Sequence, residues 1–274
     1  MGLRGLSVRL LAAVVAASLL GGAALADDAK SYWQGVRQAG VLRCGAASAP
    51  PFLIRNPATG NWTGFFAELC RRFGTELGVK TEFVDTTWDN IVAGVQAGKW
   101  DLAPALDRTP ERAIAITYSI PVNEATYTLA YNKDNPKIPA SAKTVGDIDV
   151  DGVTISVIAG SAQDKSITGA IKHATILRLP TNEEVNLAVK TKRADVVINE
   201  SAMNLLFVKA NQPWATVYEP VPALARRGVA FGLPRSLSAA DVKVLDIFIE
   251  DQKATGQVTK LIDDAVDEVI ASAK

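Results

Sequence analysis

Arg112 is the residue whose type and setting point most directly to chemistry. It follows Thr109-Pro110 closely, and this pair predicts a helix start because threonine can cap a helix and proline suits its first turn. Arg112 then lies in that first turn, beside backbone N–H groups that have no partner within the helix. An anion could be held there, so the sequence indicates an anion-binding position.

The acidic residues and the histidine are the other candidates for chemistry. His173 is the only histidine in the chain, and its expected place at a helix end makes it a surface residue rather than a base. The sequence contains no nucleophile motif, no cluster of metal ligands and no phosphate-binding loop. We therefore expect no catalytic residue, no metal and no cofactor.

Cys44 and Cys70 are the only cysteines. One falls in the predicted first strand and the other in the predicted first helix, elements that neighbour each other in an α/β fold. An oxidising compartment would permit them to pair. Two buried free cysteines are the alternative, since cysteine is among the most buried residue types. Both interpretations stay open at this point.

The overall charge excludes some classes of partner. Lys and Arg together number 29, Asp and Glu together number 29, and the formal net charge is zero. Nothing in this balance suggests a nucleic-acid or anionic-membrane surface. A small neutral or zwitterionic partner is the more natural expectation.

The first residues have the pattern of a signal peptide. Arg4 and Arg9 form a positive region, Leu10 to Leu20 is apolar, and small residues precede a cut after Ala26. The apolar run is short of the ~20 residues that span a bilayer. We expect residues 1–26 to be removed and the mature protein to be periplasmic. A lipoprotein is disfavoured because the first cysteine, Cys44, lies far beyond the cut.

The remaining chain alternates strand-like and helical segments, which predicts an α/β fold with parallel strands flanked by helices. In the first helix Phe66, Leu69, Phe73 and Leu77 form one apolar stripe, and Gly78 ends it. The predicted elements of this first run are a strand over 41–46, a helix over 64–77, a strand over 81–84, a helix over 88–97 and a strand over 101–105.

A second α/β run begins near Val153. Thr181 and Glu184 have the spacing of a capping box at a helix start. The segment 133–143, with two prolines and several charges, is expected to link two lobes. The predicted elements of this run are strands over 155–159, 175–179, 195–198, 216–218 and 229–233, a helix from 161 to about 172, helices opening at 181 and 201, and two helices at the end of the chain.

Several short segments together resemble the polar-amino-acid solute-binding proteins of ABC transporters. Each is weak alone, but their order and spacing are specific, and they cover about 40–270. The segments include Gly40-Val41-Leu42-Arg43, Pro51-Phe52, Gly60-Asn61-Trp62-Thr63-Gly64-Phe65, Gly98-Lys99-Trp100-Asp101-Leu102, Thr109-Pro110-Glu111-Arg112, Tyr118-Ser119-Ile120-Pro121, Ala159-Gly160-Ser161 and Lys192-Arg193-Ala194-Asp195.

The resemblance implies the two-lobed periplasmic binding protein fold of type II, in which each lobe is a sheet flanked by helices. Lobe 1 would hold residues 27–129 and 231–274, and lobe 2 residues 130–230. Two crossing strands, near 128–131 and 229–232, would form the hinge. The implied partners are a small-molecule ligand, an amino acid or derivative, and the membrane permease of an ABC importer, with the protein itself a monomer.

The resemblance also implies the ligand-binding residues. Arg112 occupies the position of an arginine that holds the ligand α-carboxylate through paired hydrogen bonds. Gly160 and Ser161 correspond to a loop that reaches the same carboxylate through backbone N–H and hydroxyl groups. Glu200 stands where an aspartate binds the ligand ammonium, and Trp88 where an aromatic covers the ligand. For each, an ordinary structural role is the alternative.

Departures from the family pattern put a standard α-amino acid ligand in doubt. Asp107 stands where a serine or threonine usually binds the carboxylate, and we expect it either to bind a cationic ligand group or to pair with Arg112. Ala46 and Ala49 replace acidic and aromatic contacts, and Val122 replaces an aromatic.

An enzyme is the rival class, because cyclohexadienyl dehydratases are similar to these binding proteins. Glu200, Asp164 or Asp107 would then act as a general acid with a pKa raised by burial. The ligand-sensing domain of a receptor is a third class, disfavoured because no signalling segment follows. The sequence favours a binding protein over both.

Overall fold

The computed structural model describes residues 31–272, and the predicted signal peptide lies outside them. Within these residues, none of the helices is long and apolar enough to cross a membrane. The helices are α1 (Tyr32–Ala39), α2 (Phe65–Leu77), α3 (Ile91–Gln96), α4 (Pro110–Ala115), α5 (Ala162–Ala170), α6 (Asn182–Lys190), α7 (Ser201–Ala210), α8 (Ala239–Ala254) and α9 (Gln257–Ser272).

The strands alternate with these helices, as the sequence predicts. They are β1 (Val41–Ala46), β2 (Ile54–Arg55), β3 (Trp62–Thr63), β4 (Lys80–Asp85), β5 (Ala103–Asp107), β6 (Thr117–Tyr118), β7 (Asn123–Asn132), β8 (Thr154–Ile158), β9 (Thr175–Leu179), β10 (Val196–Glu200), β11 (Ala215–Tyr218) and β12 (Arg226–Leu233).

One mixed sheet runs through most of the molecule in the order β5-β12-β7-β10-β8-β9, with β6 beside β12 and β11 beside β7. Strands β8, β9 and β10 are parallel, and β7 and β12 are antiparallel to their neighbours. Strands β1 and β4 form a separate parallel pair. The mixed α/β architecture expected from the sequence is confirmed.

Strand β7 joins the two halves of this sheet. Its first residues, Asn123–Thr126, pair with β12. From Tyr127 onward it pairs with β10, where Tyr127 lies opposite Glu200. The change of partner therefore falls between Thr126 and Tyr127, on one of the two strands predicted to form the hinge.

Local patterns account for several elements. The predicted apolar stripe of α2 is buried against the core. Gly78 ends the helix with a φ of 72°, in the left-handed region that favours glycine. The capping box at Thr181 and Glu184 is also present, with both reciprocal hydrogen bonds formed. These predictions are confirmed.

Three elements differ from the sequence prediction. Strand β12 begins at Arg226 rather than at Val229. Helix α3 starts at Ile91 rather than at Trp88, because Thr87 to Asn90 form a hydrogen-bonded turn first. Strand β5 lies two residues later than expected, at Ala103–Asp107. Asp101 is outside it because its carboxylate binds the backbone N–H and guanidinium of Arg43. The shift places Asp107 at the end of a strand.

Cys44 on β1 and Cys70 on α2 are both free and fully buried. Burial, followed by contact with Cys70, raises the pKa of the Cys44 thiol well above its usual value. A buried protonated thiol is a small apolar side chain in effect. In this structure the two residues act as core packing.

Candidate functional site

Two adjoining cavities lie where β5, β8 and β10 end. The inner cavity is about 20 Å³, room for one water molecule, and the outer cavity is about 430 Å³. Trp88, Arg112 and Ser161 line both, Asp107 and Glu200 line the inner one, and Gly160 lines the outer one. The structure thus brings all six sequence-predicted site residues together.

Arg112 is positioned by α4 as the sequence predicts. Thr109 caps the helix by accepting a hydrogen bond from the Arg112 N–H at 3.2 Å. The guanidinium reaches two backbone carbonyl oxygens, that of Asp107 at 3.4 Å and that of Gly160 at 3.3 Å. Both bonds are long, so the guanidinium keeps donor capacity toward the cavities.

The expected pairing of Arg112 with Asp107 takes a different form. Arg112 contacts the backbone carbonyl of Asp107, and the salt bridges among residues 31–272 do not include a bridge between these two side chains. Both residues line the inner cavity, and Asp107 Oδ1 has no hydrogen-bond partner.

The Gly160-Ser161 loop has its own amide groups already engaged. The Gly160 N–H donates to the Asp164 carboxylate at 3.2 Å, and the Ser161 N–H donates to the Ile158 carbonyl at 3.2 Å. Ser161 also caps α5 by accepting from the Asp164 N–H. Ser161, Ala162 and Gln163 line the inner cavity, and the amides of the first turn of a helix have no intrahelical partner.

Asp164 holds this loop in place. Its carboxylate accepts two hydrogen bonds from Arg178 Nε, at 2.9 and 3.0 Å, and one from Thr168 at 3.1 Å. It lines neither cavity. A carboxylate committed to three donors, the Gly160 N–H, the Thr168 hydroxyl and Arg178 Nε, is poorly placed to act as the general acid that the enzyme interpretation considered.

Glu200 projects from the end of β10 and is 5% exposed. Gln163 donates a hydrogen bond to Glu200 Oε1 at 3.3 Å, whereas Oε2 is buried without a partner. Burial and then the charge of Asp107 raise the pKa of Glu200 well above its usual value. An unpartnered carboxylate oxygen of this kind is costly unless a ligand donor meets it.

Asp107 is aimed at the cavity by an irregularity in β5. Opposite Ala230 and Gly232 the register of β5 and β12 shifts, and Ala105 has a φ of 60°, a left-handed conformation unusual for alanine. Such a bulge re-aims the side chains that follow it. No glycine marks this position, so the sequence gives no signal for it.

The Asp107 side chain is nearly as buried as Glu200, at 4% exposed, and its Oδ1 has no partner. Burial raises the pKa of Asp107 to about 6, although the charges of Arg112 and Arg227 and contact with Tyr127 oppose the rise. The two acids of the inner cavity thus both favour the protonated form more than an exposed acid would.

Trp88 lines both the inner and the outer cavity. Its indole N–H donates to the Ser48 carbonyl at 3.1 Å, which fixes the ring, and the side chain is 8% exposed. Ala49, Phe52 and Met203 complete an apolar wall of the inner cavity. An aromatic ring held in this way can pack on a bound molecule.

Tyr127 and Arg227 are site residues that sequence reasoning missed. Tyr127 is 1% exposed, and its hydroxyl, close to Asp107 and Glu200, makes no hydrogen bond of normal geometry. The Arg227 guanidinium lies 5.9 Å from the centroid of the Tyr127 ring and lines the outer cavity. Both lie at the strand crossing, whose pairing the sequence does not reveal.

Residues on opposite sides of the outer cavity meet directly. Lys165 Nζ lies 3.3 Å from Glu111 Oε1, with both side chains exposed. Outside this cavity, Ser48 donates to Glu183 at 3.2 Å. Gly160 has a φ of 68°, and a Cβ there would lie 2.7 Å from the Cα of Asp89. The exposed ion pair contributes little to stability. The close approach of Gly160 to Asp89 limits how near the two sides of the outer cavity can come.

The position of His173 was also predicted from the sequence. His173 is exposed, as expected of a surface residue. Among residues 31–272, no group of three or more histidine, cysteine or acidic residues is placed to hold a metal ion.

Known proteins resemble this chain along most of its length. It is 24% identical to the L-cystine-binding protein TcyA of Bacillus subtilis over 188 residues, 68% of this chain and 67% of that protein. It is 26% identical to cyclohexadienyl dehydratase of Pseudomonas aeruginosa over 197 residues, 70% of each.

A solved structure also resembles this chain. The amino acid ABC transporter substrate-binding protein AbpA of Streptococcus pneumoniae, bound to L-arginine, matches with a TM-score of 0.77 at 25% identity, covering 86% of this chain and 99% of that one. The fold is therefore that of the type II periplasmic binding proteins. A family model of bacterial extracellular solute-binding proteins, family 3, matches residues 42–273. This chain belongs to family 3 of the bacterial extracellular solute-binding proteins.

Proposed function

We propose that this protein captures an amino acid or amino-acid-like molecule in the periplasm and delivers it to the permease of an ABC importer. The observation that carries the proposal is the placement of Arg112 and Glu200 on one pair of adjoining cavities. A cation from α4 and an acid from β10 give the charge complementarity that a zwitterion requires. The relatives that bind amino acids for ABC transporters support the same function.

The proposed ligand contacts follow from the donors and acceptors of the site. Arg112, the Ser161 hydroxyl and the first amides of α5 bind the carboxylate. The unpartnered oxygen of Glu200 accepts from the ammonium. Trp88 packs on the remainder of the ligand, which extends into the outer cavity.

Capture requires the site to open and close. An inner cavity of about 20 Å³ admits no amino acid in this conformation, so we propose that the ligand enters when two lobes move apart. The lobes are residues 27–129 with 231–274, and residues 130–230, and they turn about β7 and β12. Closure around the ligand then completes contacts that come from both lobes.

A thermal-shift panel of the twenty standard amino acids tests the proposal. A ligand present at about 100 times its Kd stabilises the folded state by about 2.7 kcal/mol, which raises the Tm of a protein of this size by several degrees. At least one amino acid is expected to do so in a concentration-dependent way. A flat response to all twenty and to their common derivatives would contradict the proposed function.

Gly160→Ala is expected to prevent closure. The added Cβ would meet the backbone of Asp89, and the φ of 68° further disfavours alanine. Small-angle scattering with the amino acid that stabilises wild type most should show a smaller radius of gyration for wild type and no change for the variant. Gly169→Ala is the matched control, since a Cβ at that position of α5 has open space. Compaction of both variants would contradict the role of Gly160.

A dehydratase-like enzyme is the second candidate. It is favoured by the two buried acids with raised pKa values and by the similarity to cyclohexadienyl dehydratase. Either acid could protonate a leaving hydroxyl group. Incubation of the protein with a cyclohexadienyl substrate, followed by absorbance of an aromatic product, separates the candidates: turnover that Glu200→Gln abolishes would replace the binding proposal.

A further inference from the structure

The outer cavity contains a second arginine besides Arg112. Arg227 on β12 lines it together with Arg112 and Lys165, and the acids that line it within residues 31–272 are Asp89 and Glu111. Lys165 pairs with Glu111 at 3.3 Å. Two arginines therefore stand against one exposed aspartate. The cavity that would receive the outer part of the ligand carries an excess of positive charge.

The guanidinium of Arg227 is poorly satisfied by the protein. Its Nε is buried and has no hydrogen-bond partner among the described residues. Its Nη2 reaches the Ser166 hydroxyl at 3.4 Å, a long hydrogen bond. The Tyr127 ring centroid lies 5.9 Å away, near the outer limit of a cation–π contact. Because a guanidinium has five N–H donors, Arg227 keeps donors for another group.

Asp107 does not act as a hydrogen-bonded counter-ion for this arginine. The charge of Arg227 helps to oppose the rise in the pKa of Asp107, so the two groups interact through space. The salt bridges among residues 31–272 nevertheless do not join them. Asp107 Oδ1 and Arg227 Nε are both without a partner. The carboxylate that Arg227 would pair with has to come from elsewhere.

Arg226, the preceding residue on β12, shows the contrasting case. Its side chain is 67% exposed, and its guanidinium pairs with Glu219. Side chains of successive strand residues point to opposite faces of a sheet, which agrees with the place of Arg227 on the cavity. Two neighbouring arginines thus differ in setting, and Arg226 provides a matched control for Arg227.

We propose that Arg227 is a specificity-determining residue that binds a second carboxylate of the ligand, at the other end from the carboxylate that Arg112 binds. The inference rests on the proposed function and specifies its substrate class, amino-acid-like molecules with two carboxylates. A planar guanidinium holds a carboxylate through two parallel hydrogen bonds. A neutral ligand end would leave the positive charge of the outer cavity uncompensated, and a cationic end would add to it.

Matched acids and amides test this inference. L-aspartate and L-asparagine, and likewise L-glutamate and L-glutamine, have nearly the same size and differ in the charge of the end group. Isothermal titration of wild type at pH 7.5 should show the acid binding more tightly than its amide in at least one pair. The expected difference is about tenfold or more, as for one charge-assisted hydrogen bond. Arg227→Gln should abolish this preference by weakening the acid and leaving the amide nearly unchanged.

Two further variants serve as controls. Arg226→Gln makes the same change of charge at the exposed neighbour and should keep the wild-type preference. Arg227→Lys keeps the charge but loses the planar fork, so its preference should fall between those of wild type and Arg227→Gln. Melting curves of the empty proteins show whether each variant folds. If Arg227→Gln does not fold, the preference of Arg227→Lys relative to Arg226→Gln decides the question.

The outcomes separate this inference from the proposed function. Wild type that binds each amide as tightly as its acid would overturn the role of Arg227, as would equal preferences in Arg227→Gln and Arg226→Gln. Wild type that binds none of the four probes, but is stabilised by another amino acid in the thermal-shift panel, would also overturn it. In each of these cases the binding of any amino acid leaves the proposed function intact.

Discussion

Asp107→Asn is expected to raise the Tm of the empty protein at pH 7.5 by about 5 °C or more. Burial sets the pKa of Asp107 at about 6, roughly two units above that of an unfolded chain. Above pH 6 the folded protein must therefore keep a buried charge that the unfolded chain tolerates easily, at a cost on the order of 3 kcal/mol. Asparagine removes this charge.

The pH dependence distinguishes this cause from a general packing effect. Below about pH 4 Asp107 is protonated in both states, so the variant and wild type should differ little there. Calorimetric melting curves at pH 4 and pH 7.5 give the comparison, with Glu124→Gln as the exposed-acid control. A gain in Tm that is the same at both pH values would contradict the assignment of the cost to the buried carboxylate.

Arg112→Ala is expected to lower affinity for an amino acid by at least about 100-fold, because two charge-assisted hydrogen bonds are worth about 1.5–3 kcal/mol each. The Tm of the empty protein should change little, since both hydrogen bonds of the guanidinium are long. Isothermal titration with the amino acid identified by thermal shift measures the loss.

Two further variants sharpen the Arg112 test. Arg112→Lys keeps the charge but loses the planar fork, so it should fall between wild type and alanine. Arg108→Ala removes an exposed arginine four residues earlier and should bind as wild type does. Equal affinity of Arg112→Ala and Arg108→Ala would remove Arg112 from the binding site.

Elements with local signals were predictable from the sequence. The apolar stripe and terminal glycine of α2, the capping box of α6 and the Thr109 cap of α4 each depend on residues within one or two turns. The start of α3 and the position of β5 were misplaced. A local turn from Thr87 to Asn90 precedes α3, whereas the position of β5 depends on the contact of Asp101 with Arg43, which are far apart in the chain.

The sequence predicted several residues of the candidate site but not their arrangement. The order of the family motifs identified Arg112, Ser161 and Glu200 as site residues, and all three line the inner cavity. The bulge at Ala105 and the inward Tyr127 depend on strand pairing across the crossing, which no residue pattern encodes. The sequence also did not indicate that the Gly160 and Ser161 amides are occupied by Asp164 and Ile158.

The change of partner along β7 places Asp107 and Glu200 on different sides of one point in the sheet. Glu200 lies opposite Tyr127 on the β10 side of the change, whereas Asp107 is paired through Val229 to β12 on the other side. Because β7 pairs with both β12 and β10, a twist of this strand between Thr126 and Tyr127 would change the spacing of the two carboxylates.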